Sequence, residues 1–505
     1  MLCKEVLKSM ARNSAFNSVI VLTVTMLLVK ILSAIYRVPY QNVLGDAGLY
    51  AYQQVYPVVA IVAVLSLNAI PSVISQFSSE YANKVYRLLS ISSLGILMVL
   101  LLLSGFIAKL MGDPALTTMF RVSLLVLLPF SFVAVARGEL QRAGDMKQIA
   151  ISQLIDQMLR VSVIMLAIYL FTRGWSIYES GMLSLWGSFL GLSGAWLYLK
   201  SKKKTIKPES RLQPNELKQF LLLTLFYALS YLIMILWQLV DSFSVLNLLK
   251  QAGYSLAEGR ELKGIYDRGA SFIQMGLIVT TSFALVLIPL LAESKRMMRL
   301  KEMNHYASSA LKITIIFSSA ASIGLLNLIK PFNLFLFKSD TQALTLAVYM
   351  LAIIFVSLII MFTAMLQITE DYAVQGLGVT VGLLMKIVLN ILLIPRFGIL
   401  GAAIATVSGL IVYACILYSK IAKGYTWAFK TFLVRWTLTL VLMSVALQGI
   451  VLLPYSDRMS ALLVSLSGVC AGVVIVLFAL IKFRIITAEE WMLLPFGDYI
   501  IRFMK

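Results

Sequence analysis

Basic residues inside apolar stretches are the part of this sequence that could do chemistry. In "VKILSAIYRVPY", Lys30 and Arg37 are seven residues apart, which on an α-helix places both on one face, about 10 Å apart along the axis. A charge at the centre of a bilayer costs at least about 2.5–3.5 kcal/mol, so such side chains usually face a protein interior or a wet cavity. We therefore expect a cationic site that binds an anion, although Arg37 alone could instead extend to the membrane interface.

The same argument selects further charged residues, for which two interpretations stay open. Asp156 and Arg160 are spaced i, i+4 and could form a structural ion pair within one helix. Asp241, in "LVDSFSV", could pair with a cation across a cavity or carry a coupling proton. The cations predicted to bind substrate are Lys30, Arg37, Arg160, Arg268 and Lys386, and the carboxylates predicted to couple or pair charge are Asp156, Asp241 and Asp267.

The excess of cations over carboxylates in this set favours an anionic ligand. An inside-negative membrane potential favours the outward movement of an anion by about 2.3 kcal/mol per charge per 100 mV. A cation-coupled multidrug exporter is the alternative function, and its cavity would be expected to be acidic. No cofactor is predicted, and the sequence leaves open whether H⁺, Na⁺ or the membrane potential alone drives transport.

The sequence offers little material for an enzyme active site. The single histidine, His305, lies in a polar segment, and the three cysteines are far apart and suggest neither a disulfide nor a metal site. A membrane-embedded glycosyltransferase or ligase would need a catalytic acid or a metal-binding loop. The longest connection on the outer side, "KQAGYSLAEGRELK" (250–263), contains no aspartate pair and no histidine. We therefore expect a protein that is not an enzyme.

The elements that must position these charges are transmembrane helices. The chain of 505 residues is 60% hydrophobic and 13% charged, whereas an ordinary globular domain is about 45–50% apolar and about 25% charged. Apolar runs of about 20 residues recur from Phe16 almost to the C-terminus. The predicted fold is an all-α polytopic membrane protein with about 14 transmembrane helices, the first of them over residues 16–38.

An internal repeat divides these helices into two lobes. The stretch "GLYAYQQVYPVVAIVAVLSLNAIPSVIS" from Gly48 is echoed by "GIYDRGASFIQMGLIVTTSFALVLIPLLAES" from Gly264, and the segment ending at Arg160 is echoed by the one ending at Lys386. Each copy would hold six spans, an even number, so the two form parallel repeats. The predicted division is an N-lobe at 1–199, a cytoplasmic linker at 200–218, a C-lobe at 219–420, and a C-terminal part at 421–505 with the last two helices.

Lysine and arginine in the short loops predict the orientation. They concentrate in alternate connections, with the largest cluster in "KSKKKTIKPESRLQPNELK" (200–218), which places both termini in the cytoplasm. The net charge of +20 could suggest a nucleic-acid partner, but basic residues spread over alternate loops are better explained by topology and anionic lipids. We predict a multi-pass protein of the plasma membrane that has no nucleic-acid partner.

Three stretches carry a resemblance to a known family. "KILSAIYRVPYQNVLGDAGLY", "GIYDRGASFIQMG" and "LLMKIVLNILLIPRFGILGAAIAT" resemble the stage V sporulation protein B-like, lipid II flippase-like branch of the polysaccharide flippase family. That family belongs to the multidrug/oligosaccharidyl-lipid/polysaccharide exporter superfamily, and the resemblance covers essentially the whole chain. It implies a two-lobed, fourteen-helix fold that moves undecaprenyl-diphosphate-linked sugars, including a peptidoglycan precursor in some relatives. We expect this movement to run from the inner to the outer leaflet by alternating access.

The resemblance also implies roles for particular residues and partners. Lys30, Arg37 and Arg268 fall where such proteins place the cavity cations that engage the diphosphate, and the last two helices would form a groove for the lipid tail. The implied partners are the lipid-linked saccharide, membrane lipids and cell-wall synthesis proteins. The segment "RGELQRAGDM" (137–146) departs from the aromatic-rich stretch that is usual in this family.

Overall fold

The computed structural model describes residues 25, 28–29, 31–33, 36–202, 212–297, 300–369, 371–422, 430–487 and 490–491. Within these ranges the chain forms helices and no β-strand, which confirms the predicted all-α class. The α-helices are α1 (Arg37–Val64), α2 (Ile70–Ile74), α3 (Ser79–Leu110), α4 (Thr117–Leu124), α5 (Leu127–Arg142), α6 (Met146–Phe171), α7 (Ile177–Lys202), α8 (Pro214–Gln251), α9 (Leu256–Arg296), α10 (Leu300–Phe337), α11 (Ala343–Met350), α12 (Ala352–Thr369), α13 (Tyr372–Phe397), α14 (Ile399–Ile421), α15 (Lys430–Val451) and α16 (Arg458–Lys482).

Twelve helical segments of the described ranges are long and apolar enough to cross a membrane. The first predicted span, residues 16–38, lies mainly outside the described residues, so the total of about 14 stays a prediction. Helix α9 begins at Leu256, inside the segment that the sequence analysis assigned to an outer loop. A capping box explains this start, because Ser255 Oγ accepts from the backbone N–H of Glu258 while Glu258 Oε2 accepts from that of Ser255.

The chain folds as two compact units, of which the first contains residues 1–271 and 386–402. A continuous apolar cluster built mainly from α1 to α7 forms its core. Helices α6 and α7 approach closely because α7 presents glycines to its neighbour. A Cβ on Gly187 would lie 2.9 Å from the carbonyl oxygen of Arg160, and one on Gly191 would lie 2.5 Å from that of Asp156. This close contact fixes the backbone that carries Asp156 and Arg160.

Helix α1 contains a kink at Gly45. This residue has φ 74° and ψ −176°, a backbone conformation that is essentially restricted to glycine. The kink turns the chain so that Asp46 lies against the start of α9. There Gly264 leaves room for the Asp46 backbone, since a Cβ at this position would collide with the Asp46 carbonyl oxygen. Two glycines thus position one acidic side chain.

We expect Gly45→Ala to lower the thermal stability of the purified protein. The cost should be about 1–3 kcal/mol, because alanine must adopt the unfavourable backbone angles although no atom lies within 4 Å of its new Cβ. The matched control is Gly95→Ala in α3, which also has open space around its Cβ but ordinary helical angles. Thermal unfolding in detergent measures the effect. Equal melting temperatures of Gly45→Ala and Gly95→Ala would contradict this account.

The second unit contains residues 272–385 and 403–505. Its last two helices, α15 and α16, pack on α10 through an apolar cluster that includes Trp436 and Ile485. Polar contacts reinforce the packing, since the indole nitrogen of Trp436 donates to Ser319 Oγ at 2.8 Å and Gln448 donates to Asn327 Oδ1 at 2.7 Å. The C-terminal pair of helices is therefore anchored to α10 within this unit.

Candidate functional site

Three arginines form a buried cluster in the N-terminal part of the first unit, and we call Arg37, Arg137 and Arg160 the arginine cluster. The Arg37 side chain is only 1% exposed and lies over the Tyr56 ring, 5.6 Å from its centroid. Its Nε and Nη1 atoms have no hydrogen-bond partner among the described residues. A buried guanidinium with donors to spare is a strong anion-binding group.

Arg160 is an electrostatic neighbour of the same tyrosine, because Tyr56 interacts with both Arg37 and Arg160. Arg160 Nη2 donates to Asp156 Oδ1 at 3.1 Å, while Arg160 Nε has no partner in the described part of the chain. The structure therefore brings Asp156 and Arg160 together and leaves Arg160 with a further donor.

Arg137 is a member of the arginine cluster that the sequence analysis did not select. It is buried, its Nε donates to Ser152 Oγ at 3.1 Å, and its Nη2 has no partner within the described ranges. Its electrostatic neighbours are Asp156 and Arg160. Within the described residues, only the Arg160 member of the cluster has an ion pair, so the cluster carries excess positive charge.

Arg268 is held by Asp46 in a bidentate ion pair between α9 and the kinked part of α1. Arg268 Nε donates to Asp46 Oδ1 at 2.6 Å, and Arg268 Nη2 donates to Asp46 Oδ2. Gln41 donates to the same carboxylate at 3.1 Å. The Arg268 side chain is 1% exposed and that of Asp46 is 17% exposed. Arg268 is thus engaged by a protein carboxylate in this conformation.

A second bidentate pair joins α9 to the connection after α3. Both oxygens of the buried Asp113 accept from Arg260, each at 3.1 Å, and Asp113 Oδ2 also accepts from the hydroxyls of Tyr50 and Tyr178. Arg260 and Arg268 are eight residues apart on one helix. Both pairs connect α9 to residues of the predicted N-lobe, so together they fasten this part of α9 within the first unit.

Asp241 and Lys386 form a fully buried pair between α8 and α13. Lys386 Nζ lies 2.7 Å from Asp241 Oδ1, and the two side chains are 0% and 2% exposed. Asp241 also accepts from the Tyr266 hydroxyl at 3.1 Å and from Asn390 Nδ2 at 3.3 Å. On α9, Lys263 Nζ contacts Asp267 Oδ1 at 2.5 Å.

The structure separates the predicted site residues into several groups. Arg37 and Arg160 lie in the arginine cluster, Arg268 pairs with Asp46, and Lys386 pairs with Asp241. Lys30 lies outside the described residues, and its predicted role stays a prediction.

Besides Arg137, sequence reasoning missed Asp46, Asp113, Arg260 and Lys263, because it placed these four in connections between spans. The capping box at Ser255 was the signal that could have placed Arg260 and Lys263 on a helix.

The chemistry available at these groups is binding and charge pairing. No group of three or more histidine, cysteine, aspartate or glutamate residues that could hold a metal ion occurs in the described ranges. The side chains instead offer guanidinium and ammonium donors, tyrosine rings and a few paired carboxylates. Such a set of side chains can bind an anion and release it again.

The sequence is similar to one family and to several bacterial membrane proteins. Residues 15–295 match the family described as polysaccharide biosynthesis protein. The uncharacterized membrane protein YabM of Bacillus subtilis (strain 168) is 34% identical, over 98% of this chain and 97% of the relative. The lipid II flippase MurJ of the same organism is 23% identical, over 84% and 86% of the two chains. Its stage V sporulation protein B is 21% identical, over 98% and 100%.

Two solved structures have a similar fold. The lipid II flippase MurJ in an inward closed conformation gives a TM-score of 0.72 at 17% identity, covering 92% of this chain and 99% of the other. A multidrug resistance MATE family transporter in an inward-facing conformation gives 0.62 at 16% identity, covering 81% and 98%. Since transporters of different ligands share this fold, the charges of the site are the better guide to the ligand.

Proposed function

The chain belongs to the polysaccharide biosynthesis protein family, and from this membership we propose that it flips undecaprenyl-diphosphate-linked sugars across the membrane. It is a multi-pass membrane transporter and not an enzyme. The proposed substrate is a peptidoglycan precursor or a polysaccharide repeat unit, which moves from the inner to the outer leaflet. The name of the lipid II flippase relative supports this class of substrate.

The observation that carries the proposal is the excess charge of the arginine cluster. A diphosphate presents several anionic oxygens, and guanidinium groups bind such oxygens with strong, charge-assisted hydrogen bonds. Arg37 and Arg160 both interact electrostatically with Tyr56, and three of their combined donor nitrogens lack hydrogen-bond partners among the described residues. The positive charge of this cluster would repel organic cations, which argues against a multidrug exporter of such cations. The proposed headgroup site therefore contains Arg37 and Arg160, and Lys30 is the further cation that the sequence predicts on the same helical face as Arg37.

The proposed mechanism is alternating access. The N-lobe (1–199) and the C-lobe (219–420), joined by the linker (200–218), would move relative to each other while the polyprenyl tail stays in lipid and, by resemblance, follows a groove at the last two helices. Arg268 has to leave Asp46 before it can reach a phosphate, so the anionic headgroup would compete with Asp46 for it. The membrane potential favours the outward step of an anion.

Binding of an undecaprenyl-diphosphate-linked disaccharide to the purified protein, followed by native mass spectrometry, tests this proposal. We expect Arg37→Gln to weaken binding at least about tenfold, because losing one charge-assisted hydrogen bond costs about 1.5–3 kcal/mol. The matched control is Arg173→Gln. Arg173 also lies over a tyrosine ring, at 5.2 Å from the centroid of Tyr169, but it is exposed.

Two outcomes would overturn the headgroup assignment. Equal binding by Arg37→Gln and wild type would return Arg37 to a structural role. Binding of a lipophilic organic cation in place of the lipid-linked sugar would favour the multidrug exporter. The affinity of Arg173→Gln should equal that of wild type. This result excludes a general loss of positive charge as the cause of weaker binding by Arg37→Gln.

A further inference from the structure

Asp267 is a buried carboxylate for which the proposed flipping mechanism has no use. Its Oδ1 atom lies 2.5 Å from Lys263 Nζ, whereas its Oδ2 atom has no hydrogen-bond partner among the described residues. A buried carboxylate oxygen without a donor is costly while it is charged, and a bound proton removes that cost. Asp267 is therefore a place where a proton can bind and leave.

The paired carboxylates near it are satisfied in a way that Asp267 is not. Asp241 accepts from Lys386, Tyr266 and Asn390, so both of its oxygens have donors. Asp46 and Asp113 each accept a bidentate guanidinium. These contacts give both oxygens of each of the three carboxylates a donor, whereas Asp267 keeps one oxygen without a donor among the described residues.

Asp267 also lies in a connected network of charges. On its own helix it faces Lys263, whose ammonium lies 5.6 Å from the centroid of the Tyr266 ring, and Tyr266 donates to Asp241. Its electrostatic neighbours on other helices are Asp241 of α8 and Arg37 of α1. Lys386 of α13 reaches the network through Asp241, and the neighbouring Arg268 is occupied by Asp46. A change of charge at Asp267 therefore alters the electrostatic interactions of charged residues on α1, α8 and α13.

We propose that Asp267 is the proton-binding residue of this transporter, taking up one proton on Oδ2 and releasing it from the same oxygen. Its role in transport rests on the proposed function, whereas the proton site itself does not. When the proton binds, Lys263 loses the charge that balances it, and a buried ammonium without a counter-ion is unstable. Movement of α9 that exposes Lys263 to water or to an anionic headgroup would restore the balance. No covalent bond of the substrate changes.

Infrared difference spectroscopy of the full-length protein in lipid bilayers tests the proton site without any substrate. Titration from mildly alkaline to mildly acidic pH should produce a carboxylic acid C=O band in wild type that is missing in Asp267→Asn. The matched control, Asp457→Asn, changes an exposed helix-capping aspartate and should keep the band. A band of equal size in wild type and Asp267→Asn would overturn the proposal.

A second variant gives a result of defined direction even if Asp267→Asn folds poorly. Lys263→Gln removes the cation that favours the charged carboxylate, so the band should appear at higher pH than in wild type. A band that stays in place or moves to lower pH would show that Asp267 does not bind the proton.

Flipping in reconstituted vesicles then connects the site to transport. An imposed pH gradient should change the rate of flipping of the lipid-linked disaccharide in wild type but not in Asp267→Asn, while substrate affinity changes by no more than about twofold. If the band is present but the gradient acts equally on both proteins, Asp267 binds a proton without coupling it to transport. If wild type does not flip this lipid, the proposed function fails, and the infrared result still decides the proton site.

Discussion

Replacing Arg268 with glutamine while Asp46 is retained should abolish flipping and lower the free energy of unfolding by about 3 kcal/mol. Breaking a buried ion pair by removing one partner costs about 3–5 kcal/mol, because the other charge stays buried without compensation. We expect the low end of that range, since the Asp46 side chain is 17% exposed and can gain some contact with water. Thermal or denaturant unfolding in detergent measures the first effect, and flipping of the lipid-linked disaccharide in vesicles measures the second.

The double variant Asp46→Asn/Arg268→Gln separates two roles of Arg268. With both charges gone, most of the lost stability should return. If Arg268 only fastens α9 to α1, flipping should return as well. If Arg268 also binds the headgroup, as proposed, the double variant should be stable but still unable to flip. Flipping at the wild-type rate by the double variant would contradict the headgroup role of Arg268.

More of the fold than of the site could be predicted from the sequence. In a bilayer the backbone must satisfy its own hydrogen bonds, so apolar runs of sufficient length leave helices as the consistent choice. The same constraint identified Asp241, Arg268 and Lys386 as buried charges, because each lies in an apolar context. The i, i+4 spacing offered the Asp156–Arg160 pair as one interpretation, but nothing in the sequence indicated the long-range pairs, since Asp46 and Arg268 are 222 residues apart along the chain.

Most of the site residues that the sequence pattern did not reveal lie in the predicted connections between spans. Asp46 follows Gly45 in "QNVLGDAGLY", a polar and glycine-containing stretch that indicates a turn between two spans. The structure instead continues the helix through a kink, so that Asp46 becomes part of the site. Lys263 was missed for a related reason, because the polar segment before it forms the first turns of α9. A hydropathy pattern identifies only the apolar part of a helix, so it does not show where the helix continues into polar residues.

Lys386→Ala should destabilise the protein by about 3–5 kcal/mol and make its stability depend on added alkylammonium ions. The lysine is fully buried and 2.7 Å from Asp241, so the variant would keep a buried carboxylate whose remaining donors are neutral. A small alkylammonium ion that enters the space of the lost side chain would bind only the folded protein, and so would raise the melting temperature with its concentration. Lys109→Ala, an exposed lysine near the end of α3, is the matched control and should show neither effect.

The Lys386 variant also decides between two roles for this residue. The sequence analysis placed Lys386 among the cations that bind the substrate, whereas the structure pairs it with Asp241. In Asp241→Asn/Lys386→Met both charges are removed, and stability should largely recover without alkylammonium. If this double variant binds the lipid-linked disaccharide as tightly as wild type, Lys386 serves the pair and not the headgroup. If binding is weakened as much as in Arg37→Gln, Lys386 must leave Asp241 and contact the substrate. Lys386 would then belong to the headgroup site together with Arg37.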